Sequence, residues 1–241
     1  MTKDLTQGKI TPLLVKFTIP LLFGNIFQLM YNSVDSIIVG QLVGKEALAA
    51  VGTSNPLMTL AILFVNGMCI GASILMGTQY GAKKMDVLKR QISTTMIAGI
   101  VFSIAVTLFC ILFARPLLLL IRVQEEVLPL AVPYLRIVFL GFIFTFIYNF
   151  FACTLRALGD SKTPLYFLVT SAFLNIFGDL FFVVVLRWGV AGSAIATVCS
   201  EGLCCLLCGI YIKKKIPLLC LGKKWWVFDK SLLGKTVSYG S

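Results

Sequence analysis

The chain has 241 residues, of which 59% are hydrophobic and only 13% charged, and its mean hydropathy is +0.96. That balance excludes an ordinary soluble globular domain and makes lipid the solvent. The net charge of +11 does not point to nucleic acid, because the basic residues flank apolar runs, where topology and attraction to anionic lipid account for them.

Six apolar runs are long enough to cross a bilayer, at about 12–40, 47–78, 92–120, 131–155, 163–186 and 190–212. They predict an all-α polytopic membrane protein, a six-transmembrane-helix bundle, since none has the alternation of a membrane barrel strand. The polar start MTKDLTQGKI precedes a run too long for a signal-peptide core, with no small-residue cleavage site behind it, so the N-terminus is expected to be retained. Sixteen of the 21 basic residues fall on the side shared by both ends. This predicts a multi-pass protein of the cytoplasmic membrane with its N-terminus in the cytoplasm.

The first helix contains QLMYNSVDSIIVG. Asn25, Gln28, Asn32 and Asp35 follow at steps of three, four and three, which puts all four on one helical face. Pro20 removes a backbone hydrogen bond and is either a static bend or a moving hinge. In the second helix Gly67 and Gly71, then Gly77 and Gly81, are pairs that favour close helix packing. The third helix is expected to end around Arg115 and Pro116, and RVQEEVLPLAVPY reads as an external loop entering the fourth through Pro129 and Pro133. LRALGDSKTP, from Leu155 to Pro164, is a tight polar turn.

The fifth helix carries Ser171, Asn175 and Asp179 at steps of four. The sixth pairs Gly192 with Ala196 for packing and presents Ser193, Thr197 and either Ser200 or Glu201 as a polar stripe. Cys205 and Cys208, with Cys204 beside them, lie near the reducing side and read as small packing residues rather than a metal or redox site. From 213 to 241 the chain turns basic, with Trp225 and Trp226 adjacent, as in an interfacial linker. Its last residues, VSYGS, look like the opening of a further helix.

An ionisable residue inside a membrane costs about 2.5–3.5 kcal/mol on insertion scales and is a functional candidate by default. Three acids qualify: Asp35, Asp179 and Glu201. No basic residue is predicted at their depth, so a mobile cation is the natural missing charge. A carboxylate removed from water favours its neutral form, and two close together favour sharing a proton, so H⁺ fits. Oxygen ligands of the Asp, Asn and Thr kind also suit Na⁺. The competing reading is a hydrogen-bonded cluster of permanently protonated acids; Glu201 is either an additional proton site or a residue turned toward the cytoplasmic half of its helix. With no histidine and no nucleophile elbow, nothing supports an enzyme.

The segments IPLLFGNIFQLMYNSVDSIIVGQLVG, TLRALGDSKTP, LNIFGDLFF and WGVAGSAIATVCSE, in this order, resemble the N-terminal half of a multidrug and toxic compound extrusion (MATE) transporter of the bacterial and archaeal DinF-like type. The resemblance implies one six-helix lobe, residues 1–212, of a twelve-helix cation-coupled antiporter that exports organic, often cationic compounds. It implies a Na⁺ or H⁺ site at Asp35, Asn175, Asp179 and Thr197, with no other cofactor, and bending of the first helix at Pro20. Asn25, Gln28, Asn32, Ser171 and Ser193 would line the cavity beside it. Residues 213–241 would then link to a second six-helix lobe. Glu201 departs from the pattern, where a neutral amide is expected. Two other readings are a lipid-linked oligosaccharide flippase of related fold, which calls for a basic cavity, and a membrane assembly module that transports nothing.

Overall fold

The computed structural model describes residues 10–216 and 226–240. The polar start up to Lys9, the linker residues Lys223, Lys224 and Trp225, and Ser241 lie outside the described residues. Among the described residues all regular structure is helical: α1 (Ile10–Leu42), α2 (Lys45–Gly81), α3 (Met85–Leu120), α4 (Leu128–Leu140), α5 (Phe142–Ala157), α6 (Lys162–Asp179), α7 (Gly189–Lys215) and α8 (Lys230–Gly240). A π-helical turn, Leu180–Val185, continues α6.

Among the described residues five helices are long and apolar enough to span a bilayer, and α4 with α5, bent by 45°, makes a sixth when the bent pair is counted as one span. The all-α, six-span expectation therefore holds. Large side chains such as Leu63, Phe64, Leu112, Leu120 and Leu206 are more than half exposed, as suits a surface whose solvent is lipid. The core is aromatic where α4 and α5 meet the bundle. Phe139, Phe142, Phe146 and Phe150 are buried there, with ring centroids 5.7 Å apart in the first pair and 5.9 Å in the last.

The fourth apolar run is broken at Gly141, a feature its hydropathy did not reveal. A Cβ at this position would stand 2.5 Å from Val198 Cγ2 on α7, so the chain bends where its backbone must touch a neighbouring helix. The bend turns Thr145, Tyr148 and Asn149 of α5 toward the interior. Pro116 does not end α3, which continues to Leu120. The helical dihedrals fail instead at Phe113 (φ −103°, ψ 16°), the turn with which a proline ring at 116 conflicts. Part of the expected external loop is already helix, because Pro129 sits in the first turn of α4, where its missing N–H costs nothing. α1 runs unbroken through Pro20.

Gly67 and Gly71 seat α8: the Thr236 carbonyl lies against Gly71 and the backbone of Gly240 against Gly67. A Cβ on Gly77 would stand 3.7 Å from the Ala157 carbonyl at the end of α5, and among the described residues one on Gly81 would meet no other segment within 4 Å. The approach to α8 is fastened to α3, with Val227 N–H donating to Ser93 Oγ (3.0 Å) and Asp229 N–H to Thr94 Oγ1 (3.1 Å). Gln91 Nε2 donates to Thr236 Oγ1 at 2.7 Å. The described end of the basic segment is thus a helix held in the groove between α2 and α3.

Candidate cation site and central cavity

α6 and α7 pack closely because their crossing is made of small residues. A Cβ on Gly178 would stand 3.0 Å from Ala196 Cβ, and Gly192 lies against the backbone of Phe182 in the π turn. This contact brings the polar stripes of both helices to the same place, next to α1. Ser193 Oγ donates to Asp35 Oδ1 at 3.0 Å, so α7 holds the carboxylate of α1. Asn175 Nδ2 donates to Thr197 Oγ1 (3.2 Å), whose hydroxyl donates in turn to the Ser193 carbonyl (3.1 Å).

The acceptors in this cluster outnumber the donors. Asp179 is fully buried, and neither of its carboxylate oxygens has a donor; the buried Asn175 Oδ1, one turn earlier on α6, also has none. Buried polar atoms are nearly always paired, and leaving one unpaired costs about 1–3 kcal/mol. The Asp35 carboxyl is within hydrogen-bonding reach of Asp179. It can donate only when it carries a proton, and with both acids ionised the two carboxylates repel. The cluster thus holds three buried oxygens, two on Asp179 and one on Asn175, without a hydrogen-bond donor among the described residues. Four of the expected site residues, Asp35, Asn175, Asp179 and Thr197, come together here, and Ser193 joins them.

Asp35 is half-buried and opens onto a cavity of about 690 Å³, large enough for a drug-sized ligand. Asn25, Gln28 and Asn32 continue its stripe along the cavity wall, with Pro20 at one end, and Ser171, Thr197 and Glu201 line the opposite wall. The choice between Ser200 and Glu201 is resolved by the backbone. Ser200 Oγ turns back to the Thr197 carbonyl (2.9 Å), while Glu201 keeps the step of four and accepts from Thr145 Oγ1 at 2.6 Å. Cys204 and Cys205 direct their thiols to the carbonyls of Phe167 (3.3 Å) and Phe144 (3.1 Å), a packing role. Asp160 closes the α5–α6 turn by accepting from Thr163 N–H at 3.0 Å and Thr163 Oγ1 at 2.6 Å.

Sequence reasoning missed part of the lining. Asn55, Thr59 and Asn66 of α2 face the cavity, and their positions, four and then seven residues apart, were a readable one-face pattern. Tyr31, Tyr134 and Tyr148 also line it, with Arg156 at the end of α5. Tyrosines inside apolar runs carry no periodic signal that separates them from core.

A polytopic helical bundle with buried acids beside a cavity lined by polar side chains has the build of an integral membrane protein with an internal polar site. The MatE family model matches residues 20–181, and the chain belongs to that family. It is 34% identical over 211 residues to the probable multidrug resistance protein YpnP of Bacillus subtilis, covering 88% of this chain and 47% of that protein. It is 34% identical over 226 residues to YoeA, a probable multidrug resistance protein of the same organism, covering 90% and 48%. A solved MOP superfamily transporter from Pyrococcus furiosus superimposes on all of this chain and 54% of its own, with a TM-score of 0.90 at 24% identity, a likeness of fold. The chain spans about half the length of the curated relatives it matches.

Proposed function

We propose that this chain forms the N-terminal lobe of a cation-coupled antiporter that exports organic compounds by alternating access, with Na⁺ or H⁺ as the coupling ion. The observation that carries the reading is the buried set of unpaired oxygens on Asp179 and Asn175 facing Asp35. An ion that completes the set stabilises one arrangement of α1 against α6 and α7 over the other, and that differential affinity is what coupling requires. Small organic substrates, as the names of its relatives suggest, occupy the adjoining cavity. A second six-helix lobe closes the cavity, and the basic excess sets the N-terminus in the cytoplasm. A flippase of anionic head groups is disfavoured because, among the described residues, the one basic side chain lining the cavity is Arg156.

The test is transport by the protein in its native assembly, reconstituted in liposomes with Na⁺ and pH gradients imposed separately. One gradient should drive export of an organic cation, and Asp35→Asn should abolish that drive while the protein remains folded. Gradient-driven export at the wild-type rate by Asp35→Asn would overturn the proposal.

A further inference from the structure

Glu201 is an acid that the cation cluster does not use. On α7 it stands one turn beyond Thr197 and two turns, about 12 Å along the axis, beyond Ser193, the residue that holds Asp35. Its partner is Thr145 on α5, outside the network of α1, α6 and α7 that holds Asp35. One oxygen, Oε2, accepts from Thr145; the carboxylate is half-buried on the cavity wall. Arg156, the basic residue of the lining, does not neutralise it. Arg156 follows Thr145 by eleven residues on α5, about 16 Å along that helix.

The surroundings of Glu201 suit an organic cation better than a bare ion. Tyr31, Tyr134 and Tyr148 line the same cavity, and aromatic rings are the side chains that attract a delocalised positive charge. Tyr148 is fixed by donating its hydroxyl to the Pro164 carbonyl at 3.1 Å. A compact ion needs several converging oxygens, as at the Asp179 cluster, whereas among the described residues the hydrogen-bond partner of Glu201 is Thr145. We infer that Glu201 is the counter-charge by which this cavity selects organic cations, distinct from the acids that bind the coupling ion. This inference rests on the transport reading given above. It assigns charge selectivity to one residue of the lobe, held in place by Thr145.

The test uses tetraphenylphosphonium and tetraphenylborate, hydrophobic ions of nearly the same shape and opposite charge, in equilibrium dialysis against the detergent-purified protein in its native assembly. The wild type should prefer tetraphenylphosphonium. Glu201→Gln should weaken its binding by about tenfold or more, as loss of a desolvated charge contact implies, and leave tetraphenylborate binding equal or tighter, which also reports a folded cavity. Glu201→Asp should restore part of the preference, and Thr145→Val should lower it less than Glu201→Gln does. Unchanged tetraphenylphosphonium affinity in Glu201→Gln, or no preference in the wild type, overturns the inference. If Glu201→Gln keeps the preference and loses its response to Na⁺ or pH gradients, Glu201 belongs to coupling and the inference fails while the antiporter reading stands. If Asp179→Asn keeps full gradient response while Glu201→Gln collapses the preference, the proposed ion site fails and the role of Glu201 survives.

Discussion

Replacing Asp179 by asparagine tests the cation site by supplying from the protein what the ion supplies. Asp179 is fully buried and both of its oxygens lack donors. Asparagine has almost the same shape, and its Nδ2 can donate to the Asp35 carboxylate. A hydrogen bond to a charged partner is worth about 1.5–3 kcal/mol, and one carboxylate repulsion disappears as well. For a chain of this size 1 kcal/mol shifts the melting temperature by about 2–4 °C, so Asp179→Asn should melt about 3–12 °C above the wild type in buffer free of Na⁺ at alkaline pH. Adding Na⁺ or acidifying should raise the wild type toward the variant and leave the variant unmoved. Melting is followed in detergent by intrinsic tryptophan fluorescence across a matrix of Na⁺ and pH. A variant that melts at or below the wild type without ions, or that keeps the full ion response, would refute the view that these oxygens await a cation.

Other substitutions probe the supports of the site. Thr197→Val removes the acceptor of the Asn175 amide and leaves a buried N–H unpaired, which should cost about 1–3 kcal/mol in a thermal melt and weaken any ion-induced stabilisation. Gly141→Ala places a methyl group 2.5 Å from Val198 Cγ2 and should destabilise by about 1–3 kcal/mol; adding Val198→Ala should return part of the loss, as a double-mutant cycle would record. Asp160→Ala deletes the acceptor that closes the α5–α6 turn and should cost about 1 kcal/mol without altering ion response. Gly71→Leu should push α8 out of its groove, read as faster proteolysis within 226–240.

The parts of this architecture that hydropathy and period record were legible in the chain. Apolar runs gave the spans, and steps of three and four put Asp35, Asn175, Asp179, Ser193 and Thr197 on faces that the structure brings together. What escaped depends on contacts between distant segments. The break at Gly141 lies against Val198, far along the chain on α7, and the π turn after Asp179 packs against Gly192 only once the chain has reversed into α7. Pro116 misled as an end signal, because a proline in a lipid-embedded helix can displace its strain to a neighbouring residue, here Phe113, instead of terminating the helix. Ser200 and Glu201 are adjacent and both polar, so only the back-bond of Ser200 to Thr197 identifies Glu201 as the residue facing the cavity.

The way α1 is held links the cation cluster to motion. Pro20 and Val39 are its buried positions among the described residues, and much of its length faces outward through side chains such as Leu22, Leu29 and Met30. Among the described residues, its side-chain hydrogen bond to another helix is the one Asp35 accepts from Ser193. On the proposed reading, the Asp35–Asp179 contact is attractive with an ion between the acids and repulsive without it. A change of about 1.5–3 kcal/mol at this contact moves a two-state equilibrium by roughly ten- to a hundredfold. The same change in a helix locked by many buried contacts would be absorbed with little movement. On that reading Asp35 has leverage because, among the described membrane spans, its helix is the least buried, while Asp179 and Asn175 sit on α6 behind the close Gly178–Ala196 crossing.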